Sequence, residues 1–224
     1  KLQRESEHAI YYGLDFYAPQ TVLTADGRLI MIAWMQYWNS VEIRPIEALP
    51  FFGQMTLPRE LHVKDGRLIQ NPVRELDDYR TDRVSYTDVA VGGKMQLDGI
   101  RGRCLDLTVN VRGDRYRSFT VRAVEGGEYV TEICYTPSRN AVLVDRTRSR
   151  WPDPILNCRE FSVRDLGGEF KLRLIIDRYS IELFVNDGEQ AASFAVFSPD
   201  SADGISFEAD GEAIIDIEQY TLNI

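Results

Sequence analysis

The chain is poor in the residues that carry nucleophilic, metal and redox chemistry. It holds 2 histidines and 3 cysteines in 224 residues. Cys104, Cys134 and Cys158 are odd in number and no two stand at metal-ligand spacing, which argues against zinc. They read as reduced thiols of a cytosolic protein. His8 and His62 have no serine or cysteine beside them in a nucleophile motif, so a Ser–His or Cys–His mechanism has no foothold. No apolar run approaches the roughly 18 residues that a membrane span needs. No glycine loop is built to cradle phosphate; Gly92-Gly93 and Gly167-Gly168 read as turns. Positive charge is not in excess either. A formal net charge of −9 disfavours nucleic acid and anionic membrane surfaces as partners, even where basic and aromatic residues interleave between Arg112 and Arg122. There is no Asn-x-Ser/Thr acceptor, which together with the thiols leads us to expect a cytoplasmic protein.

What is present is ordinary globular material, 44% hydrophobic and 27% charged, enough to build one large domain or two small ones around a real core. Helical periodicity is scarce, whereas period-2 alternation and turn signals recur. Asp-Gly begins at Asp26, Asp65, Asp98, Asp187, Asp203 and Asp210, a dipeptide that favours type I′ hairpin turns because both residues tolerate positive φ. Residues 21–24 and 29–35 read as one hairpin around Ala25-Asp26-Gly27, and residues 60–63 and 68–70 as another around Asp65-Gly66. A short helix is expected over Pro72–Arg80, where Val73, Leu76 and Tyr79 fall at helical spacing behind a proline suited to a first turn. Strand-like segments then follow at 104–111, 118–124, 131–135, 141–145, 171–177, 180–185, 191–197, 204–208 and 213–222. That density of short strands predicts an all-β chain whose second part is an antiparallel two-sheet sandwich. The lone helix between two hairpin-rich regions marks a domain junction, giving units at 1–76 and 77–224.

Two strings give the first region a more particular character. They are Gly13-Leu14-Asp15-Phe16-Tyr17-Ala18-Pro19-Gln20-Thr21 and Met55-Thr56-Leu57-Pro58-Arg59-Glu60-Leu61. Their order and spacing resemble glycoside hydrolase family 32, the retaining β-fructosidases (invertase, sucrose-6-phosphate hydrolase, levanase, inulinase). Residues 144–149 and Asp177-Arg178-Tyr179-Ser180-Ile181-Glu182-Leu183-Phe184-Val185-Asn186-Asp187-Gly188 look like that family's C-terminal β-sandwich. The resemblance implies the end of a five-bladed β-propeller followed by the sandwich. The whole protein is then expected to hydrolyse a β-fructofuranosidic bond in sucrose, sucrose 6-phosphate or short fructans, with retention and without a metal or organic cofactor.

The same resemblance shows what is missing. A retaining glycosidase needs two carboxyl groups about 5–5.5 Å apart, one as nucleophile and one as acid/base. The family carries its nucleophile in Trp-Met-Asn-Asp-Pro-Asn-Gly, a transition-state-stabilising Asp in Arg-Asp-Pro, and its acid/base in a Glu-Cys pair. This chain has only chance likenesses: Trp151-Pro152-Asp153-Pro154, Arg164-Asp165-Leu166, and Glu132-Ile133-Cys134, all in the sandwich region. No catalytic residue is therefore expected among these 224, and the chain, which starts at Lys1, reads as the C-terminal part of an enzyme whose N-terminal propeller segment is supplied in cis or in trans. A non-catalytic carbohydrate-binding or assembly sandwich is the competing reading, but such a module has no reason to begin inside a blade.

Three residues are candidates for contact with sugar. Asp15 and Tyr17 alternate along an extended segment with Phe16 on the other side, which on pattern alone suits a turn-proximal carboxylate and a half-buried phenol. The resemblance places both beside the fructose subsite, and Trp34 on its apolar side, where an aromatic face packs against sugar C–H groups. Tyr37 and Trp38 either rim the same pocket or cover an edge. Arg59 and Glu60, adjacent in a strand, point to opposite faces and read as scaffold. Asp145, Arg146, Arg178 and Glu182 read as structural ion pairs between strands rather than acid–base groups.

Overall fold

The structure, a computed structural model, describes residues 9–35, 53–150 and 156–224. Tyr37, Trp38 and the Trp151–Pro154 string lie outside the described residues. The first sheet is an antiparallel meander of four strands, β1 (Tyr17–Leu23), β2 (Leu29–Trp34), β3 (Arg59–Lys64) and β4 (Arg67–Pro72), in that spatial order. Both expected hairpins are there. Asp65 and Gly66 have φ of 52° and 72° and form the two-residue I′ turn between the paired Lys64 and Arg67. The other hairpin turns differently. Gly27 alone is left-handed (φ 86°), the Gly27 N–H donates to the Thr24 carbonyl at 3.0 Å, and the Thr24 N–H to Arg28 at 2.9 Å, which makes a type I turn closed by a glycine bulge.

The expected helix is a six-residue 3-10 segment, Arg74–Tyr79. Pro72 belongs to β4 and Val73 precedes the turn, so only Leu76 is buried and Tyr79 is half exposed. After it come β5 (Arg80–Met95), β6 (Leu105–Gly126), β7 (Tyr129–Thr136), β8 (Ala141–Arg148), β9 (Cys158–Ser162), β10 (Phe170–Asp177), β11 (Ser180–Val185), β12 (Gln190–Ala195) and β13 (Gly204–Leu222). They form a sandwich by curling one sheet. The first half of β6 pairs with β10, which leads on to β11 and β12. Its second half pairs with β7, which leads on to β8 and β9. β13 runs beside β6 along its whole length, and β5 beside β13, so three long strands belong to both layers.

Glycine makes the fold-over possible. Gly93, Gly113 and Gly211, one in each long strand, have φ of 92°, 122° and 110°, and the pairing registers of β13 break on both sides of Gly211. A Cβ on Gly211 would lie 2.2 Å from the Arg115 carbonyl oxygen. A strand that changes layers needs such a corner. Residues expected as two strands, 104–111 with 118–124 and 204–208 with 213–222, are therefore one bent strand each. Between the layers, Leu107, Val109, Val121, Ile133, Val144, Leu174, Phe207 and Ile215 are buried, each worth roughly 1.5–3 kcal/mol of apolar transfer. Tyr135 stacks on Phe170 with centroids 4.3 Å apart, and the Tyr116 hydroxyl donates to the Gly168 carbonyl at 2.6 Å.

Candidate functional site

The stretch from Tyr11 to Trp34 is organised by the seam between the first sheet and the sandwich. Before β1 begins, the chain runs along β12: the N–H groups of Tyr12, Leu14 and Asp15 donate to the carbonyls of Ala191 and Ser193 at 3.2–3.3 Å. The Tyr11 hydroxyl donates to the Ser193 carbonyl at 3.0 Å. The approach is close because residue 13 is glycine; a Cβ there would stand 2.5 Å from the Ser193 nitrogen. This segment covers the outer edge of β12, an edge that would otherwise offer unpaired backbone groups.

It also delivers Asp15 into the interior. The carboxylate is wholly buried and ion-paired with Arg146 of β8, and it accepts the Ala195 N–H at 2.8 Å. Arg146 is equally buried and donates to the carbonyls of Ala195 (2.8 Å) and Leu156 (3.0 Å) as well. Burial pushes the Asp15 carboxyl above its ordinary range, against the downward pull of Arg146 and the Ala195 N–H. Burial, with the charge on Asp15 second, also raises the Tyr11 phenol well above the usual tyrosine value. The expectation that Asp15 presents a carboxylate to a sugar is thus corrected. Its oxygens are engaged at the seam by Arg146 and the Ala195 N–H.

A second buried ion pair lies alongside. Arg59 of β3 donates to Glu182 of β11 at 2.7 Å, to the Ser193 hydroxyl at 2.6 Å and to the Gln70 amide oxygen at 3.1 Å. Glu182 also accepts the Leu57 N–H at 2.5 Å and the Ser193 hydroxyl at 3.1 Å. The Arg59 guanidinium lies 5.2 Å from the Phe16 ring and 5.5 Å from Phe184, near enough for cation–π attraction on both sides. Phe16 in turn stacks on Tyr11 at 4.4 Å. Arg59 and Glu60 behave as expected of strand neighbours. Glu60 points the other way and takes bonds from Arg28 (3.0 Å) and from the Arg74 backbone and side chain (2.8–3.0 Å). The bonds from Arg74, ahead of those from Arg28, hold its carboxyl well below the usual carboxylate range. Arg146 and Glu182 are indeed in ion pairs, but across the seam rather than between neighbouring strands.

Tyr17 and Trp34 are brought together. They are register partners at the end of the β1–β2 ladder, with ring centroids 6.2 Å apart, edge to face. A bulge achieves this: the register slips by one residue between Tyr17 and Gln20, and Ala18 has a φ of 48°. Without the extra residue Ala18 would oppose Trp34. Along β2, Met31 and Ala33 are buried and Trp34 alternates with them. Met31 pairs with Arg59, so Trp34 is on the face opposite the docked one. Tyr17 keeps 38% of its surface exposed. The pair makes a partly exposed aromatic platform at the end of the ladder.

The described carboxylates that mimic family motifs, Glu132 and Asp165, have other occupations, as does Asp145. Glu132 is paired with Arg122 and, at 3.4 Å, with Arg148. Asp165 accepts the Gly167 N–H in a turn at 2.9 Å, and Asp145 accepts the Thr147 N–H at 2.7 Å. Among the described residues no three of His, Cys, Asp or Glu converge as metal ligands would.

A propeller-type blade is thus docked through buried charge on a curled sandwich, with an aromatic pair on its far face. Residues 2–72 match the family described as glycosyl hydrolases family 32 N-terminal domain, and residues 75–222 match glycosyl hydrolases family 32 C terminal. The chain belongs to glycoside hydrolase family 32. It is 33% identical to a raffinose invertase of Escherichia coli over 91% of its own length and 41% of the relative's. It is 28% identical to a sucrose-6-phosphate hydrolase of Staphylococcus xylosus over 96% and 43%. Among solved structures, an exo-inulinase from Aspergillus awamori superposes with a TM-score of 0.80 at 18% identity, covering 95% of this chain and 44% of that one. A Bombyx mori GH32 β-fructofuranosidase superposes at 0.71 and 26%, covering 96% and 42%. The all-β fold, the end of a propeller followed by a sandwich, is common to them. The chain spans about two-fifths of the length of these curated relatives.

Proposed function

We propose that these residues form the C-terminal portion of a retaining β-fructofuranosidase. In this reading the nucleophile and acid/base come from a preceding propeller segment, in cis or on another polypeptide, and this portion supplies part of the fructose pocket and the supporting sandwich. The observation that carries the reading is the Tyr17–Trp34 platform at the blade end in a chain of this family. Sucrose, sucrose 6-phosphate or a short fructan is the substrate class, in keeping with relatives described as raffinose invertase and sucrose-6-phosphate hydrolase. Tyr17 and Trp34 are the residues we assign to the fructosyl unit. We divide the chain at 76/77, between the end of β4 at Pro72 and the start of β5 at Arg80.

The test is sucrose hydrolysis by the natural full-length protein and its Trp34→Ala variant. Loss of the platform should lower kcat/KM by about 10- to 100-fold, the equivalent of about 1.4–2.7 kcal/mol of transition-state binding. An unchanged kcat/KM on sucrose and sucrose 6-phosphate would sink the assignment. The denatured mass of each polypeptide in the purified sample tells a propeller completed in cis from one completed in trans.

A further inference from the structure

Phe16 and Tyr17 are held from opposite sides by different parts of the molecule. Asp15, one residue before Phe16, is fixed to the sandwich by Arg146 and by the Ala195 N–H. Phe16 is wedged between the Tyr11 ring and the Arg59 guanidinium. Tyr17 then turns to the far face and meets Trp34 through the bulge at Ala18. An extended residue advances about 3.3 Å, so Asp15 and Tyr17 are about 7 Å apart along the chain with a wedged ring between them. A shift at the anchor therefore has little slack in which to be absorbed before it reaches the platform.

We propose that Arg146 is a positioning residue for the sugar platform: through Asp15 it sets where Tyr17 stands against Trp34, so the sandwich tunes a pocket it does not line. The inference rests on the platform reading above. It explains why an arginine occupies the position. Its two terminal nitrogens reach Asp15, the Ala195 carbonyl and the Leu156 carbonyl at once. A lysine ammonium keeps the charge but is a single point that cannot span these acceptors in a fixed plane.

The experiment uses the natural full-length protein labelled with fluorotryptophan, the Trp34 resonance being assigned by Trp34→Phe. Arg146→Lys should move the Trp34 fluorine resonance and lower kcat/KM on sucrose by about tenfold, as small misplacements of binding groups do. Gly13→Ala should move the same resonance by a different route, since it pushes residues 11–15 off the Ser193 backbone while leaving both charges in place. Arg173→Gln, which removes one of the two arginine partners of Asp106 elsewhere in the sandwich and leaves Arg80, should lower the melting temperature without moving the resonance or kcat/KM. If Arg146→Lys fails to fold, Gly13→Ala decides. Variants that melt earlier yet keep the wild-type Trp34 resonance overturn the proposal and leave Arg146 a purely structural residue. A moved resonance beside wild-type kinetics for Trp34→Ala would uphold the positioning and overturn the platform reading alone.

Discussion

Glu182→Gln is the perturbation that most directly tests how the two parts of the chain are joined. Glu182 and Arg59 are 2% and 0% exposed at the side chain and bonded at 2.7 Å, and Ser193 and Gln70, which also bond to the pair, are buried. Glutamine keeps the shape but removes the charge, and its amide NH₂ must face one of three donors: Arg59, the Leu57 N–H or the Ser193 hydroxyl. Arg59 would remain buried with its charge opposed only by neutral acceptors. Removing one partner of a buried pair typically costs about 3–5 kcal/mol. For a domain of this size each kcal/mol moves the melting midpoint by about 2–4 °C, so the variant should melt about 6–20 °C lower.

The sign of the double variant is the sharper part. Bringing two charges out of water is costly, and replacing a buried pair by well-fitting apolar side chains is often neutral or stabilising. Glu182→Met with Arg59→Met should therefore recover most of the loss. The coupling in the cycle should then be at least about 2 kcal/mol, far outside additivity. Calorimetry of wild type, Glu182→Gln, the single variants Glu182→Met and Arg59→Met and their double, with the exposed Arg83–Glu218 pair as a control that should barely move, reads all of this. A Glu182→Gln variant that melts within a degree of wild type would refute the argument, as would a double variant whose loss equals the sum of the singles.

Other outcomes follow from the same structure. Glu60 has a depressed folded-state pKa, so its ionised form stabilises the native state above the unfolded carboxyl value of about 4.3, and that contribution disappears as pH falls through the lower folded value. The melting gap between wild type and Glu60→Gln should accordingly be constant from pH 7 to 5 and close only in stronger acid; a gap that closes between pH 7 and 6 would contradict it. Gly188→Ala should destabilise by at least about 2 kcal/mol in urea unfolding, because residue 188 has a φ of 95° and its Cβ would lie 2.3 Å from the Gln70 carbonyl across the seam. Gly66→Ala makes the comparison: its Cβ would meet nothing, so only the φ of 72° is penalised and the loss should be smaller.

Signals confined to a few residues were legible in the chain. Asp65-Gly66 makes the turn its residues favour, and β7, β8, β10, β11 and β12 lie where alternation places them. The long strands were not, because one local signal has two physical uses. Asp210-Gly211 looks like a hairpin turn, yet Gly211 is the corner at which β13 passes between layers with hydrogen bonding resumed on either side. β5 was hidden for a related reason. It lies at an outer edge, and the register slips that accompany Asp82 and Asp88, with φ of 47° and 56°, break its period-2 pattern. The short edge strand β9 offered only five residues.

The seam was hidden for a deeper reason. Its two ion pairs join residues 123 and 131 positions apart, and no spacing rule reaches that far. A carboxylate next to an aromatic in Asp15-Phe16-Tyr17 invites one function for the whole string. The structure divides it: Asp15 anchors, Phe16 wedges, and Tyr17 alone reaches the platform with Trp34. The division has a physical logic. Were Asp15 turned to the platform, the buried charge of Arg146 would lose its carboxylate at a cost of about 3–5 kcal/mol, far more than one hydrogen bond to a sugar hydroxyl returns. A residue next to an aromatic platform in sequence can thus be held away from it by a partner 131 positions further along the chain.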